Sequence, residues 1–328
     1  MKQLPIHAIL PQLRAELAGR EAVVLGAPPG SGKTTVTPLA LLTEPWLAGR
    51  TILLLEPRRL AARLAAAFMA RQLGEEVGRT VGYRVRFEAK ISPATRVEVV
   101  TVGVLTRRLQ DDPELAGVGL VIFDEFHERS LQGDLALALC LDVLAGLRED
   151  LKLLIMSATL DTGAISRMLD NAPVVMGQGQ SYPVEVEYCR AGQMLQPSPR
   201  EIATQVAGAI RRALAGQPGD ILAFLPGAAE IRHTQALLSS ALVSGEIAIH
   251  PLYGDLSLGA QTAAVQPDKE GRRRIILATP IAETSVTIEG IHTVVDSGWK
   301  RAPQFDANSG LSRLTTQRIS HASATQRA

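Results

Sequence analysis

The chain has 328 residues, 46% of them hydrophobic and 20% charged, with a net charge of +1. That length and apolar content suit two ordinary domains with buried cores and exclude a disordered chain. The longest apolar runs, residues 51–55 and 151–156, have strand length and are too short to cross a bilayer, so no membrane span is expected. A near-neutral balance gives no global attraction to a polyanion, so a nucleic-acid partner has to be held by a local groove. Aromatics make up only 4%, which disfavours a base-stacking platform and favours contacts to phosphate and sugar.

In chain order, Ile6, Ile9, Leu10, Leu13 and Leu17 come first, at helical spacing. Charge and proline interrupt them as a signal-peptide core would not allow, which predicts an amphipathic helix in a cytoplasmic chain. Apolar runs at 22–25, 51–55, 97–100, 120–123 and 151–156 alternate with helical stretches and predict a parallel sheet covered on both faces. A break rich in Gly, Gln, Ser and Pro at 177–183 precedes a second set of strands at 221–225, 247–250, 274–278 and 293–296. The expected fold class is therefore α/β in two domains, residues 1–180 and 181–328. Between 301 and 319, Asn308, Ser309 and Gly310 stand between strand-like residues and predict a β-hairpin. Cys140 and Cys189 have no zinc spacing and are expected to be buried thiols.

The strongest local signal is residues 26–35, GAPPGSGKTT, directly after one predicted strand and before a helix. Strand, glycine-rich loop and helix is the context of a phosphate-binding loop. Gly30, Ser31, Gly32, Lys33, Thr34 and Thr35 form the expected nucleotide-binding set. The glycines let backbone N–H groups wrap a phosphate, Lys33 reaches the β and γ phosphates, and the Thr34 hydroxyl ligates Mg²⁺. The strict pattern wants glycine where this chain has Ala27. Residues 120–129, LVIFDEFHER, end a strand in two adjacent acids, where parallel sheets place catalytic groups. Asp124 is expected to hold Mg²⁺ and Glu125 to orient and deprotonate the attacking water. The implied cofactors are a nucleoside triphosphate, with its base left open, and Mg²⁺.

With Asp124-Glu125-Phe126-His127 followed by Ser157-Ala158-Thr159, the motif order resembles the DEAH/RHA type of superfamily 2 helicases. Residues 56–62 (EPRRLAA), 81–86 (VGYRVR), 278–288 (ATPIAETSVTI) and 319–328 (ISHASATQRA) extend the likeness over essentially the whole chain. The acidic box DEFHERSL is most similar to the bacterial HrpB branch. This resemblance implies two tandem RecA-like domains, each a mostly parallel sheet with helices on both faces, with ATP in their cleft and single-stranded RNA across them. It implies strand contacts from Arg58, Arg59, Thr101 and Thr279, and coupling between the sites through Ser157, Thr159 and Ser285. It also implies that His127 links the acidic box to that relay, and that Gln326 helps to position the water.

The function so implied is an ATP-dependent RNA helicase or translocase core, monomeric and with no membrane partner. The alternatives are a nucleotide-dependent RNA-binding clamp with little turnover, or a helicase acting on DNA. Two residues depart from the pattern, Pro280 where the family usually has Asn and Val102 where the branch usually has an acid. Proline removes a backbone N–H and the amide's donors and acceptor, so one strand contact is expected to be lost or rerouted. Because the chain ends at Ala328, within the last motif and before the family's arginine fingers, the second domain is expected to be truncated and the turnover of this chain alone weak.

Overall fold

The apolar runs of the first half become strands buried on both faces. The structure, a computed structural model, describes residues 4–158, 162–177, 183–189, 197–241, 245–283 and 288–327. The chain divides into two units, Met1–Tyr182 and Pro183–Ala328. Among the described residues of the first unit, eight strands form one sheet. They are β1 (Ala22–Gly26), β2 (Thr51–Glu56), β3 (Val81–Val85), β4 (Glu88–Lys90), β5 (Val97–Thr101), β6 (Val118–Phe123), β7 (Lys152–Ser157) and β8 (Val174–Met176). The spatial order is β4-β3-β5-β2-β6-β7-β1-β8, parallel throughout except for the β3–β4 pair.

The helices of this unit are α1 (Leu10–Gly19), α2 (Lys33–Leu41), α3 (Arg59–Gln72), α4 (Val102–Asp111), α5 (Leu131–Gly146) and α6 (Thr162–Met168). Val23, Leu25, Ile52, Leu54 and Leu154 share one core with Leu13 and Leu17 of α1 and Ala66 and Met69 of α3. Val24, Leu53, Leu55, Val121 and Ile155 share another with Leu105 of α4 and Leu137 and Cys140 of α5. Successive strand residues point to opposite faces, so each run is divided between two cores and reads as unbroken hydrophobicity. The strands β3, β4 and β8 span five, three and three residues and lie outside the longer apolar runs. Pairing with β5 and β1 defines β3 and β8, and β4 folds back on β3.

The second unit contains α7 (Pro199–Gly216), β9 (Asp220–Phe224), α8 (Ala228–Ser239), β10 (Ile247–Leu252), α9 (Leu258–Val265) and β11 (Arg273–Ala278). These are followed by β12 (Ile291–Asp296), β13 (Trp299–Asp306), β14 (Leu311–Arg318) and α10 (His321–Arg327). Among the described residues, four parallel strands lie in the order β10-β11-β9-β12. A capping box opens α7, with the Glu201 N–H donating to the Ser198 hydroxyl at 3.3 Å and the Ser198 N–H to the Glu201 carboxylate at 2.7 Å. Arg274, 2% exposed, is held by the Asp220 carboxylate at 2.7 Å and ties β11 to β9. β13 and β14 form the antiparallel hairpin, and the Asp306 carboxylate caps its turn by accepting from the Asn308 N–H and the Ser309 hydroxyl. Among the described residues no helix is long and apolar enough to cross a membrane.

One reading needs correction. Cys140 is buried, but Cys189 is exposed and accepts a hydrogen bond from Arg212 Nη2 at 2.8 Å. It ends the segment 183–189, in which Val184, Val186 and Tyr188 are also exposed, so the alternation of apolar and acidic residues there did not bring burial.

Leu154→Ala removes a fully buried side chain between β6 and β1. It is expected to cost about 2–5 kcal/mol, read in urea unfolding by the fluorescence of Trp46, which packs against the same core.

Candidate active site

The phosphate loop is held by the sheet where it leaves β1. Gly26 ends β1 in register with Ser157 of β7, the Ala27 N–H donates to the Ser157 carbonyl at 3.0 Å, and the Gly177 N–H donates to the Gly26 carbonyl at 2.7 Å. Gly30 has φ +72° and Gly32 φ +93°, left-handed conformations that glycine adopts without a Cβ clash. Gly32 is also the N-cap of α2, so the chain reverses into a helix whose first residues are Lys33 and Thr34. The N–H groups of a first helical turn lack intrahelical partners and face outward along the helix dipole, which suits a phosphate. Ala27 is 3% exposed and belongs to the core, which explains a methyl group where the strict pattern has glycine.

The acidic box follows β6. The Asp124 N–H still pairs with the Leu55 carbonyl at 3.0 Å, and the chain then turns sharply at Glu125, whose φ is +49°. A non-glycine residue in this region costs of order 1–3 kcal/mol and persists only where its surroundings hold it. Here the Glu125 N–H donates to Asp124 Oδ1 at 2.8 Å, and Phe126 stands edge-on against Phe123 at 6.0 Å. The strain places two adjacent carboxylates on one side of the turn.

Four side chains from the two motifs converge. Lys33 Nζ lies 2.9 Å from Glu125 Oε1, and the Thr34 hydroxyl donates to Asp124 Oδ2. His127 Nδ1 accepts the Ala158 N–H at 3.2 Å, so the ring proton sits on Nε2, which faces Glu125 Oε2 at 3.3 Å. Burial, followed by the nearby Lys33 charge, lowers the imidazole pKa to about 4 against a weaker pull from Asp124. The contact with Glu125 is thus a hydrogen bond from neutral histidine, and it ties the acidic box to the strand end carrying Ser157 and Ala158.

Burial also governs the charges beside it. It works against the Lys33 ammonium, but Asp124, Glu125 and Glu56 outweigh it and leave the group more basic than usual. Burial and the neighbouring Glu125 push the Asp124 carboxyl up to about 6, although Lys33, the Thr34 hydroxyl and the Glu125 N–H pull it back. A hydroxyl and a carboxylate oxygen side by side are the hard ligands that magnesium takes, and the buried ammonium next to them suits phosphate oxygens. The residues present therefore fit a nucleotide with its magnesium.

The remaining predicted residues stand as follows. Ser31 is buried and Thr35 half-buried beside the loop, and Ser157 is fully buried at the end of β7. Arg58 caps α3 and grips Glu128 at 3.0 Å, while Arg59 is exposed as the first residue of that helix. Thr101 ends β5, and Val102 after it packs against the second core. Thr279 and Gln326 belong to the second unit. The Thr279 N–H donates to the Leu252 carbonyl at 3.0 Å, and Pro280 opens a 3-10 turn, Pro280–Ala282, where a backbone N–H is not needed. Gln326 lies half-buried on α10 beside Arg327, which is 4% exposed and ion-paired to Glu283 at 3.1 Å and Asp296 at 2.7 Å. Thr159 and Ser285 lie outside the described residues. Sequence reasoning gave no role to Glu56 or Glu128. Glu56 had a legible signal, an acid ending an apolar strand run, and it is 0% exposed within electrostatic reach of Lys33.

The chain is similar to known proteins. The DEAD/DEAH box helicase family matches residues 7–167, and the helicase conserved C-terminal domain matches residues 205–323. The chain belongs to the DEAD/DEAH box helicases. The ATP-dependent RNA helicase HrpB of Escherichia coli is 53% identical over all of this chain, which covers 40% of that protein. The ATP-dependent RNA helicase HrpA homolog of Haemophilus influenzae is 36% identical over 99% of the chain, covering 24% of that protein. A crystal structure of the Escherichia coli DEAH/RHA helicase HrpB superposes with a TM-score of 0.89 at 52% identity, over 99% of this chain and 40% of that one. These matches place the chain among DEAH/RHA helicases of the HrpB branch, as two tandem RecA-like domains, and it spans about 40% of the length of its HrpB relative.

Two outcomes follow from the buried charges. His127 ring resonances are expected to stay constant between pH 5 and 8 in NMR titration, because a pKa of about 4 keeps the ring neutral throughout. Asp124 has a folded pKa of about 6 against an ordinary 3.8, so its ionisation destabilises the fold above pH 6 and that penalty is gone below 3.8. Asp124→Asn is therefore expected to raise the melting temperature by a few degrees at pH 8 and to lose the gain as pH falls toward 4.

Proposed function

We propose that this chain is the ATP-hydrolysing motor core of an RNA helicase, using Mg²⁺ as its metal. The observation that carries this reading is the convergence of Lys33 and Thr34 on Glu125 and Asp124. On this reading, ATP places its β and γ phosphates on the loop amides and Lys33, and the ammonium exchanges its contact with Glu125 for phosphate oxygens. Glu125 is thereby released to orient a water molecule and take its proton, while His127 holds the carboxylate by its second oxygen. Thr34 and Asp124 would hold the magnesium ion, which would neutralise charge developing on the phosphates.

RNA as the track is supported by the names of the relatives, both ATP-dependent RNA helicases. Arg58, Arg59, Thr101 and Thr279 are the proposed strand contacts. Because Arg58 is engaged by Glu128, a phosphate has to compete with or share that guanidinium.

Glu125→Gln is expected to lower ATP turnover by roughly 10²- to 10⁴-fold while leaving the binding of an ATP analogue intact. Wild-type turnover in that variant removes Glu125 from the role. Single-stranded RNA is expected to raise ATP turnover more than single-stranded DNA of the same sequence, and equal stimulation overturns the choice of RNA.

A further inference from the structure

Residues 4–9 form a short turn, closed by the 3-10 helix Pro5–Ala8, that lies against the phosphate loop and not only against the sheet. The Ile6 N–H donates to the Ser31 carbonyl at 3.2 Å, a backbone bond across the loop's apex. Gly32 is enclosed by the same turn: a Cβ built there would stand 2.9 Å from Leu4 Cδ1 and 3.2 Å from Ile6 Cγ2, with Val36 Cγ2 at 3.3 Å. At the loop's other end, a Cβ built on Gly177 would meet Ile9 Cδ1 at 3.0 Å and Ala27 Cβ at 3.1 Å, so Ile9, Ala27 and Gly177 are packed together. The turn is braced internally, with the His7 N–H on the Leu4 carbonyl at 3.0 Å and the Ile9 N–H on the Ile6 carbonyl at 3.1 Å. Ile6 is 0% exposed and Leu4 and Ile9 are half-buried against its core.

We infer that this N-terminal turn is a positioning element for the phosphate loop, and that Leu4, Ile6 and Ile9 set nucleotide affinity without touching nucleotide. The inference rests on the reading of that loop as the nucleotide site. Its physical basis is leverage at Gly32. That residue is held at φ +93° immediately before Lys33, so a shift in its backbone tilts the first turn of α2 and carries Lys33 and Thr34 with it. A loop of glycine and proline residues has few side chains of its own to fix its shape, and the enclosing apolar atoms supply the constraint. Seating the loop in its bound shape before nucleotide arrives removes an ordering cost from binding.

The test uses the whole chain and a fluorescent non-hydrolysable ATP analogue with Mg²⁺. Leu4→Ala and the double variant Leu4→Ala/Ile9→Ala are compared with Leu17→Ala, which empties part of the same core near the end of α1. The double variant is expected to bind the analogue about tenfold more weakly, or about 1.4 kcal/mol, and the single variant by an intermediate factor. Leu17→Ala is expected to lower the melting temperature at least as far and to keep wild-type affinity. Should the double variant fail to fold, Leu4→Ala alone, which trims only a half-buried side chain, carries the same comparison. Wild-type affinity in the Leu4 variants overturns the inference and leaves the proposed function standing. Equal weakening by Leu17→Ala at matched thermal loss also overturns it, because the effect is then general. Failure of the wild-type chain to bind the analogue overturns the nucleotide reading itself.

Discussion

The structure turns on a buried ammonium held among three acids. Lys33 touches Glu125, and Asp124 and Glu56 add their fields from within the same low-dielectric region. Such a cluster stabilises a fold only weakly, because desolvation offsets most of the Coulomb attraction, and losing the single ammonium would leave its carboxylates uncompensated. On the proposed function its presence is understood through exchange: a triphosphate would bring negative charge of its own, so Lys33 could leave Glu125 without becoming an unpaired buried cation. The raised Asp124 carboxyl belongs to the same account, since a crowded acid is relieved by a cation placed beside it.

Sheet topology makes the cluster. The phosphate loop leaves β1 and the acidic box leaves β6, strands that are not neighbours, and β7 lies between them. The intervening strand puts Ser157 beneath the loop and Ala158 beside His127, so one strand end contacts both motifs. A neutral imidazole is suited to that position, because it can accept from a backbone N–H on one side and donate to a carboxylate on the other. The left-handed Glu125 is the local strain that this convergence requires.

The second unit repeats the logic with a different fastening. Arg274 and Arg327 are both nearly fully buried and both answered by acids, Asp220 for the first and Glu283 with Asp296 for the second. Arg327 also lies over the Phe224 ring at 4.8 Å, so α10 is docked on β9 and β12 by charge and by aromatic contact together. Gln326 therefore stands next to one of the most constrained side chains of the unit.

The sequence by itself determined the alternation of strands and helices, the two-unit division near residue 180, the hairpin and the identity of the four converging side chains. It could do so because parallel strands buried on both faces write themselves as unbroken apolar runs, and because a phosphate loop and an acidic strand end have short-range signatures. What only the tertiary structure decided depends on neighbours distant in sequence. Pairing with β5 and β1 made strands of β3 and β8, and β4 became one by folding back on β3. Cys189 came to lie exposed with its neighbours in 183–189. Glu56 became part of the Lys33 site by strand position, Arg58 acquired Glu128 from a turn 70 residues away, and residues 4–9 came to rest on the phosphate loop. Apart from the neighbouring strands β3 and β4 and the acid at the end of β2, no local pattern encodes these contacts, because each depends on the free energy of packing two segments far apart along the chain.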